Sequence, residues 1–306
     1  MSKLRPFKDH TPEDKGKILG LSLVCMLCWS TPHTATALAL RSFSPSVLTF
    51  LRYFSASLIF LIIALFIRMP LPALKDVPEI VGYALFDFVL YNITIAHAQQ
   101  TLPAGMISVL LAFVPILVAF LAAWILHEKM PRNSWIGLFV ACAGVIWIVA
   151  GDGFGKLEPG LGYLWMLGPV VGSAVAIIIH KHLLEKYSPF SMMAYAIWAA
   201  TLMMTYSAPQ AVRELGTASA ESILAIVYLG TIPTVLAFTL FGIVLKMIPA
   251  GEAEVLLYPD TPLGILFSAA VLHERPQLTV WLGLALIFLG IYITGRKKKE
   301  AVGSSQ

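Results

Sequence analysis

The sequence predicts an all-α integral membrane protein of ten transmembrane helices arranged as two inverted five-helix repeats. Three observations carry this. The chain is 58% hydrophobic and only 12% charged, where soluble domains carry about a quarter charged residues. Its mean hydropathy is +0.82. A gapless self-similarity also runs at an offset of 146 residues.

Apolar runs of about 20 residues suffice to cross a bilayer as helices. Such segments fall at 18–40, 45–67, 79–100, 103–127, 133–151, 160–182, 189–208, 222–246, 249–273 and 278–295, with short loops between. They are called here the first to tenth segments. The first is too long for a removable signal peptide and lacks a small-residue cleavage site, so it is read as retained. The polar tails, 1–17 and 296–306, flank two repeats at 18–151 and 160–295.

Lys and Arg fix the expected orientation. With the N-terminus inside, sixteen face the cytoplasm, including the run Arg296–Lys299. Four face outward (Arg41, Lys156, Arg213 and Arg275), and Arg52 stays within a segment. Both termini are therefore expected in the cytoplasm, with the chain in the inner (plasma) membrane. The formal net charge of +4 then reports topology and contact with anionic lipid, and nucleic acid is not an expected partner.

Cys25, Cys28 and Cys142 all sit in apolar runs, which points away from disulfides and metal sites. No cofactor motif appears, and none is expected.

The repeat lays Leu-Pro-Ala-Gly at 102–105 onto Ile-Pro-Ala-Gly at 248–251. The same offset pairs Leu126-His127-Glu128 with Leu272-His273-Glu274, Trp135 with Trp281, Gly137 with Gly283 and Gly144 with Gly290. An odd number of spans per half forces the copies into opposite orientations. Inverted repeats of this kind mark alternating-access transporters, with the site at the midplane between halves.

These residues resemble the EamA-type branch of the drug/metabolite transporter superfamily, whose fourth-to-fifth helix pattern occurs here twice. Trp29, Arg52 and the short turn Gln100–Pro103 are also similar to that family. The resemblance covers nearly the whole chain and implies a ten-helix basket with a central cavity, exporting small metabolites. Two features depart from the pattern. Ser30 follows Trp29, and the mid-helix Pro115 of the fourth segment matches Thr261, with Pro262 one residue later.

Charged groups inside an apolar segment cost about 2.5 to 3.5 kcal/mol on insertion scales, so they mark candidate functional positions. On the third segment Tyr83, Asp87, Tyr91, Thr94 and Ala98 share a helical face, with Asn92 beside it. Cys25, Trp29, His33 and Thr36 form a stripe on the first. On the ninth, Glu254, Tyr258 and Thr261 align, and Asp260 turns to a neighbouring face between Pro259 and Pro262. Met106, Ser108 and Val114 of the fourth segment stand where Glu252, Glu254 and Asp260 stand in the ninth.

Trp29, His33, Asp87, Tyr91, Asn92, Tyr258 and Asp260 are accordingly the candidate substrate-binding residues. Asp260 and Asp87 are candidates for proton coupling, because desolvation favours the neutral form of a buried acid. Arg52 is a candidate ion-pair partner, or else a side chain that snorkels. Glu252 suits the positive end of its helix, and His127-Glu128 and His273-Glu274 suit capping. Gly168–Gly172 is read as a close-packing face with a kink.

Three function classes remain open on the sequence. A small-metabolite exporter, with amino acids or related amphiphiles as cargo, comes first. A nucleotide-sugar or phosphate-ester transporter would want at least two basic residues in the cavity, and a membrane enzyme would want a nucleophile with its base or a metal set. The sequence shows neither arrangement.

Overall fold

The computed structural model describes residues 7, 10–114, 117, 124, 132–151, 160–257 and 259–295. Among these every regular element is helical. Five helical stretches are long and apolar enough to cross a membrane: Pro12–Ala39, Pro45–Ile67, Leu74–Ala98, Leu161–Lys186 and Ala220–Met247. Shorter apolar helices cover Trp135–Ala150, Pro189–Met203, Asp260–Leu272 and Leu278–Gly290. Large apolar side chains such as Phe66, Leu65, Leu224 and Leu278 lie on the outside, as expected of a surface wetted by lipid rather than water.

Several segments are interrupted where a straight helix is the simplest expectation. The first ends its helix at Trp29, turns through Ser30 and Thr31, and restarts at Pro32. Proline is favoured at a first helical position because the missing N–H has no intrahelical partner there. The Ser30 and Thr31 hydroxyls donate back to the carbonyls of Leu27 and Cys28, at 2.9 and 3.0 Å. The sixth segment breaks at Met166, between Leu161–Trp165 and Leu167–Lys186.

The fourth and ninth segments break in matching places. Their first helices run Ala104–Leu111 and Ala250–Leu257, copies 146 residues apart at both ends. After Leu111 the turn tightens, with Ala112 and Phe113 N–H donating three residues back to Val109 and Leu110. In the ninth, a new helix starts at Asp260, behind Pro259.

The third and eighth segments widen instead of breaking. Each contains a π-helical stretch, Ala84–Leu90 and Gly230–Ala237, beginning 146 residues apart. Such i→i+5 stretches cluster at functional sites. The carbonyls they misalign are taken up by side chains. Phe88 O accepts from Tyr53 Oη at 2.9 Å and from Asn92 Nδ2 at 3.1 Å. Tyr228 O, the i→i+5 acceptor that Pro233 leaves without a donor, accepts from Thr231 Oγ1 at 3.2 Å, and Leu229 O accepts from Thr234 Oγ1 at 2.7 Å.

The fifth and tenth segments cross through the repeat glycines. A Cβ on Gly144 would lie 2.6 Å from Gly283 O, and one on Gly290 would lie 2.3 Å from Gly137 O. Gly283 copies Gly137 and Gly290 copies Gly144, so the two contacts exchange under the repeat. Only glycine lets the backbones approach this closely, as in small-residue packing of membrane helices. Gly168 and Gly172 act similarly for the sixth segment, against Thr94 and the Phe86 carbonyl of the third.

The two halves are also tied at both ends of the bundle. At one end Lys186 Nζ and Tyr187 Oη each reach Asp76 at 2.8 Å. At the other, Ser222 Oγ donates to Leu38 O at 3.0 Å and Ser44 N–H to Glu214 at 2.9 Å.

Candidate functional site

Between these two sets of ties lies a cavity of about 170 Å³. Room for one water takes roughly 10 to 15 Å³ on this measure, so the space suits a small molecule. Side chains from the first, second, third, fourth, sixth, eighth and ninth segments line it, drawing on both halves.

The first segment contributes Trp29, His33 and Thr36, which flank its break. Trp29 packs edge-on against Phe238 and Phe241, with centroids 4.9 and 5.0 Å apart. Its Nε1–H donates to Pro233 O at 3.1 Å, so a π-helical carbonyl of the eighth segment holds the indole in place. The fourth of that stripe, Cys25, is fully buried away from the cavity and donates to Ala237 O at 3.5 Å. His33 lines the cavity, and its backbone carbonyl accepts from Gln99 Nε2 at 2.8 Å.

On the third segment Asp87, Tyr91, Asn92 and Ile95 line the cavity. The even α-helical spacing expected from the sequence places Thr94 and Ala98 on this face, but the π-helical stretch rotates the residues beyond it. Ile95 takes the cavity position, and Thr94 turns towards Gly168 with its hydroxyl on Leu90 O at 2.6 Å.

Arg52 is 5% exposed, and its guanidinium is held by neutral partners. Nη1 donates to Asn92 Oδ1 at 2.6 Å and Nε to Thr234 Oγ1 at 2.9 Å. Asn92 in turn bonds the Tyr53 hydroxyl. No ion pair within 4.0 Å joins Arg52 to a carboxylate among the described residues. The guanidinium thus bridges the halves beside the cavity.

Asp260 lies at the first position of its helix, where unpaired N–H groups and the helix dipole favour an anion. Thr261 Oγ1 donates to it at 3.2 Å, and both residues line the cavity. Tyr258 lies outside the described residues, as do His127, Glu128 and Pro115. Glu252 accepts from the backbone N–H of Phe7 at 2.6 Å, away from the cavity. Glu274 caps a helix of the other half: its two carboxylate oxygens accept from Ala104 and Gly105 N–H at 2.7 and 2.9 Å.

Sequence reasoning missed Ser173, Ile177, His180, Phe238 and Phe241 on the cavity wall. Ser173, Ile177 and His180 recur at intervals of four and three, the same stripe signal that picked out the first and third segments.

The comparisons agree with this architecture. A model of the EamA-like transporter family matches residues 16–150 and again 160–296. The chain belongs to that family and is a membrane transporter. It is similar to the uncharacterized transporter YdfC of Bacillus subtilis, 27% identical over 87% of each chain. It is also similar to a probable terminal-alkyne amino-acid exporter of Streptantibioticus cattleyicolor, at 25% identity over 90% of this chain and 92% of that one. A probable amino-acid metabolite efflux pump of Escherichia coli is 22% identical over 92% and 96%. A solved crystal structure matches with a TM-score of 0.68 at 18% identity, covering 90% of this chain and 97% of its own. That likeness concerns the fold.

Proposed function

We propose that this protein exports small zwitterionic metabolites, amino acids or close relatives, by alternating access of the two halves around the central cavity. The observation that carries the reading is the charge set of that cavity. Among the described lining residues Arg52 supplies the sole Lys or Arg, Asp87 and Asp260 supply two carboxyls, and Trp29, Phe238 and Phe241 supply an aromatic wall. A carboxylate on Arg52, an ammonium beside Asp87 or Asp260 and an apolar body against Trp29 would satisfy every group. Tyr91 and Asn92 add to the polar lining, and His33 and Tyr258 stay candidates for substrate contact.

The broken fourth and ninth segments and the widened third and eighth supply the irregular backbone that membrane transporters place around a midplane site. In this reading the chain crosses the plasma membrane ten times, with both termini cytoplasmic. The names of the Streptantibioticus and Escherichia relatives support amino-acid-like cargo.

A nucleotide-sugar or phosphate-ester cargo is disfavoured by a specific feature. It would bring two or more negative charges to a site with one cation and two acids.

Proteoliposomes preloaded with unlabelled amino acid, tested across a panel of radiolabelled amino acids, should show counterflow for at least one of them. Vesicles loaded with a nucleotide sugar should show none. Counterflow of the nucleotide sugar alone would overturn the reading.

A further inference from the structure

Arg52 is a buried cation held only by neutral groups, through two of its three nitrogens. Nη1 donates to Asn92 Oδ1 at 2.6 Å and Nε to Thr234 Oγ1 at 2.9 Å. Nη2 has no hydrogen-bond partner among the described residues, and it is not one of the polar atoms sealed inside the protein. Arg52 is 5% exposed and lines the cavity, so Nη2 is open to the cavity.

The polarity of both holders is fixed from behind. Asn92 Nδ2 donates to Phe88 O at 3.1 Å and to the Tyr53 hydroxyl, whose own proton goes to Phe88 O at 2.9 Å. A carbonyl only accepts and a guanidinium only donates, so the Asn92 amide can stand only with its oxygen towards Arg52. Both amide hydrogens are then in use, and Asn92 has no donor left for a cargo. Thr234 gives its proton to Leu229 O at 2.7 Å, which leaves a lone pair for Arg52 Nε.

Phe88 belongs to the π-helical stretch of the third segment, and Leu229 directly precedes that of the eighth. The two irregular stretches therefore orient one neutral acceptor each, from opposite halves, onto the same guanidinium. A buried charge is ordinarily paired. Here Asp87 and Asp260 line the same cavity, yet no carboxylate among the described residues lies within 4.0 Å of Arg52.

We propose that Asn92 and Thr234 are positioning residues that set cargo specificity: they fix the guanidinium with neutral bonds, so that its charge and its free Nη2 are kept for one cargo carboxylate. The inference rests on the amino-acid reading of the cavity and deepens it. A cargo without a carboxylate leaves the buried cation unmatched. A carboxylate built into the protein at position 92 matches it permanently and shuts the cargo's carboxylate out.

The first test needs no transport. Full-length protein in detergent is unfolded thermally in sodium acetate and in sodium chloride, at equal pH and ionic strength. Acetate should raise the melting temperature of wild type by about 2 °C or more. It should also protect Asn92→Ala, where the cation is still unpaired, and should do nothing for Asn92→Asp. Thr234→Asp puts the carboxylate on Nε instead and should behave like Asn92→Asp, which covers a failure of either variant to fold. Absence of acetate protection in wild type, or equal protection in a folded Asp variant, overturns the inference.

The second test reads selectivity. In proteoliposomes wild type should show counterflow of its best amino acid at least tenfold faster than of the amine left by decarboxylating it. Asn92→Asp should shrink that ratio at least tenfold. Asn92→Ala should slow the amino acid but keep the ratio within about twofold, because a merely structural defect lowers both rates together. Equal rates in wild type, or an unchanged ratio in Asn92→Asp, would overturn the inference. Failure of every amino acid to show counterflow, with acetate protection intact, would sink the amino-acid reading and leave the neutral clamp on Arg52 standing.

Discussion

The third and eighth segments are two copies of one helix, and they reach the same irregularity by different chemistry. Both turn π-helical at the same repeat position, over Ala84–Leu90 and Gly230–Ala237. Asp87 in the third stands where Pro233 stands in the eighth. In the eighth, proline removes a donor, and the Thr231 and Thr234 hydroxyls take up the Tyr228 and Leu229 carbonyls. In the third, no proline is present, and Tyr53 and Asn92 satisfy the Phe88 carbonyl instead. The shape belongs to the repeat. What each copy offers the cavity is its own: a carboxyl from one, and from the other a backbone carbonyl that anchors Trp29.

Arg52 couples the two copies, since it bonds Asn92 of one and Thr234 of the other. Removing it breaks the comparison most severely. Arg52→Leu leaves both partners without their charge-assisted bond, and each such bond is worth about 1.5 to 3 kcal/mol. Transport should fall by about a hundredfold or more and the melting temperature should drop clearly, measured by counterflow and by thermal unfolding in detergent. Arg52→Lys, a point charge in place of a planar fork, should recover only part of either.

A smaller effect tests whether the pseudo-symmetric contacts are structural alone. In Gly283→Ala the new methyl meets Ile148 Cγ1 at 2.3 Å and Gly144 O at 2.7 Å. Overpacking of this kind costs about 1 to 3 kcal/mol. Thermal stability should fall, with the substrate concentration for half-maximal transport unchanged. A large change in apparent affinity at full stability would move the fifth and tenth segments into the site.

The smallest effect sharpens the contrast itself. Pro233→Ala restores a backbone N–H but leaves the carbonyl that Trp29 uses. Counterflow should stay within about threefold of wild type, and a loss of tenfold or more would show that the proline is functional rather than architectural.

Much of the fold was legible because it was written twice. The register at 146 residues ties together the helix breaks after Leu111 and Leu257 and the crossing glycines, since backbone packing needs the same small or helix-starting residue in each copy. Asp87, Trp29 and Asp260 were legible as polar or aromatic positions where an apolar segment does not need them. The π-helical stretches were not legible, because no residue type demands them, and they displaced Thr94 in favour of Ile95 on the cavity face. Thr234 and His180 were hidden for another reason. Their roles come from partners in the other half, 182 residues away for Arg52 and 97 for Tyr83, and a single helix pattern carries no such information. Glu274 was legible as a capping residue, but the helix it caps lies 170 residues earlier.

The repeat's shared residues build the fold, and in the transporter reading the unshared carboxyls of the third and ninth segments handle the cargo. Counterflow of the best radiolabelled amino acid by Asp87→Asn and Asp260→Asn, across a range of pH and beside their melting curves, tests this division most directly. The expected result is at least a tenfold loss of transport in each variant with melting close to wild type. Wild-type rates at every pH in both variants would contradict it.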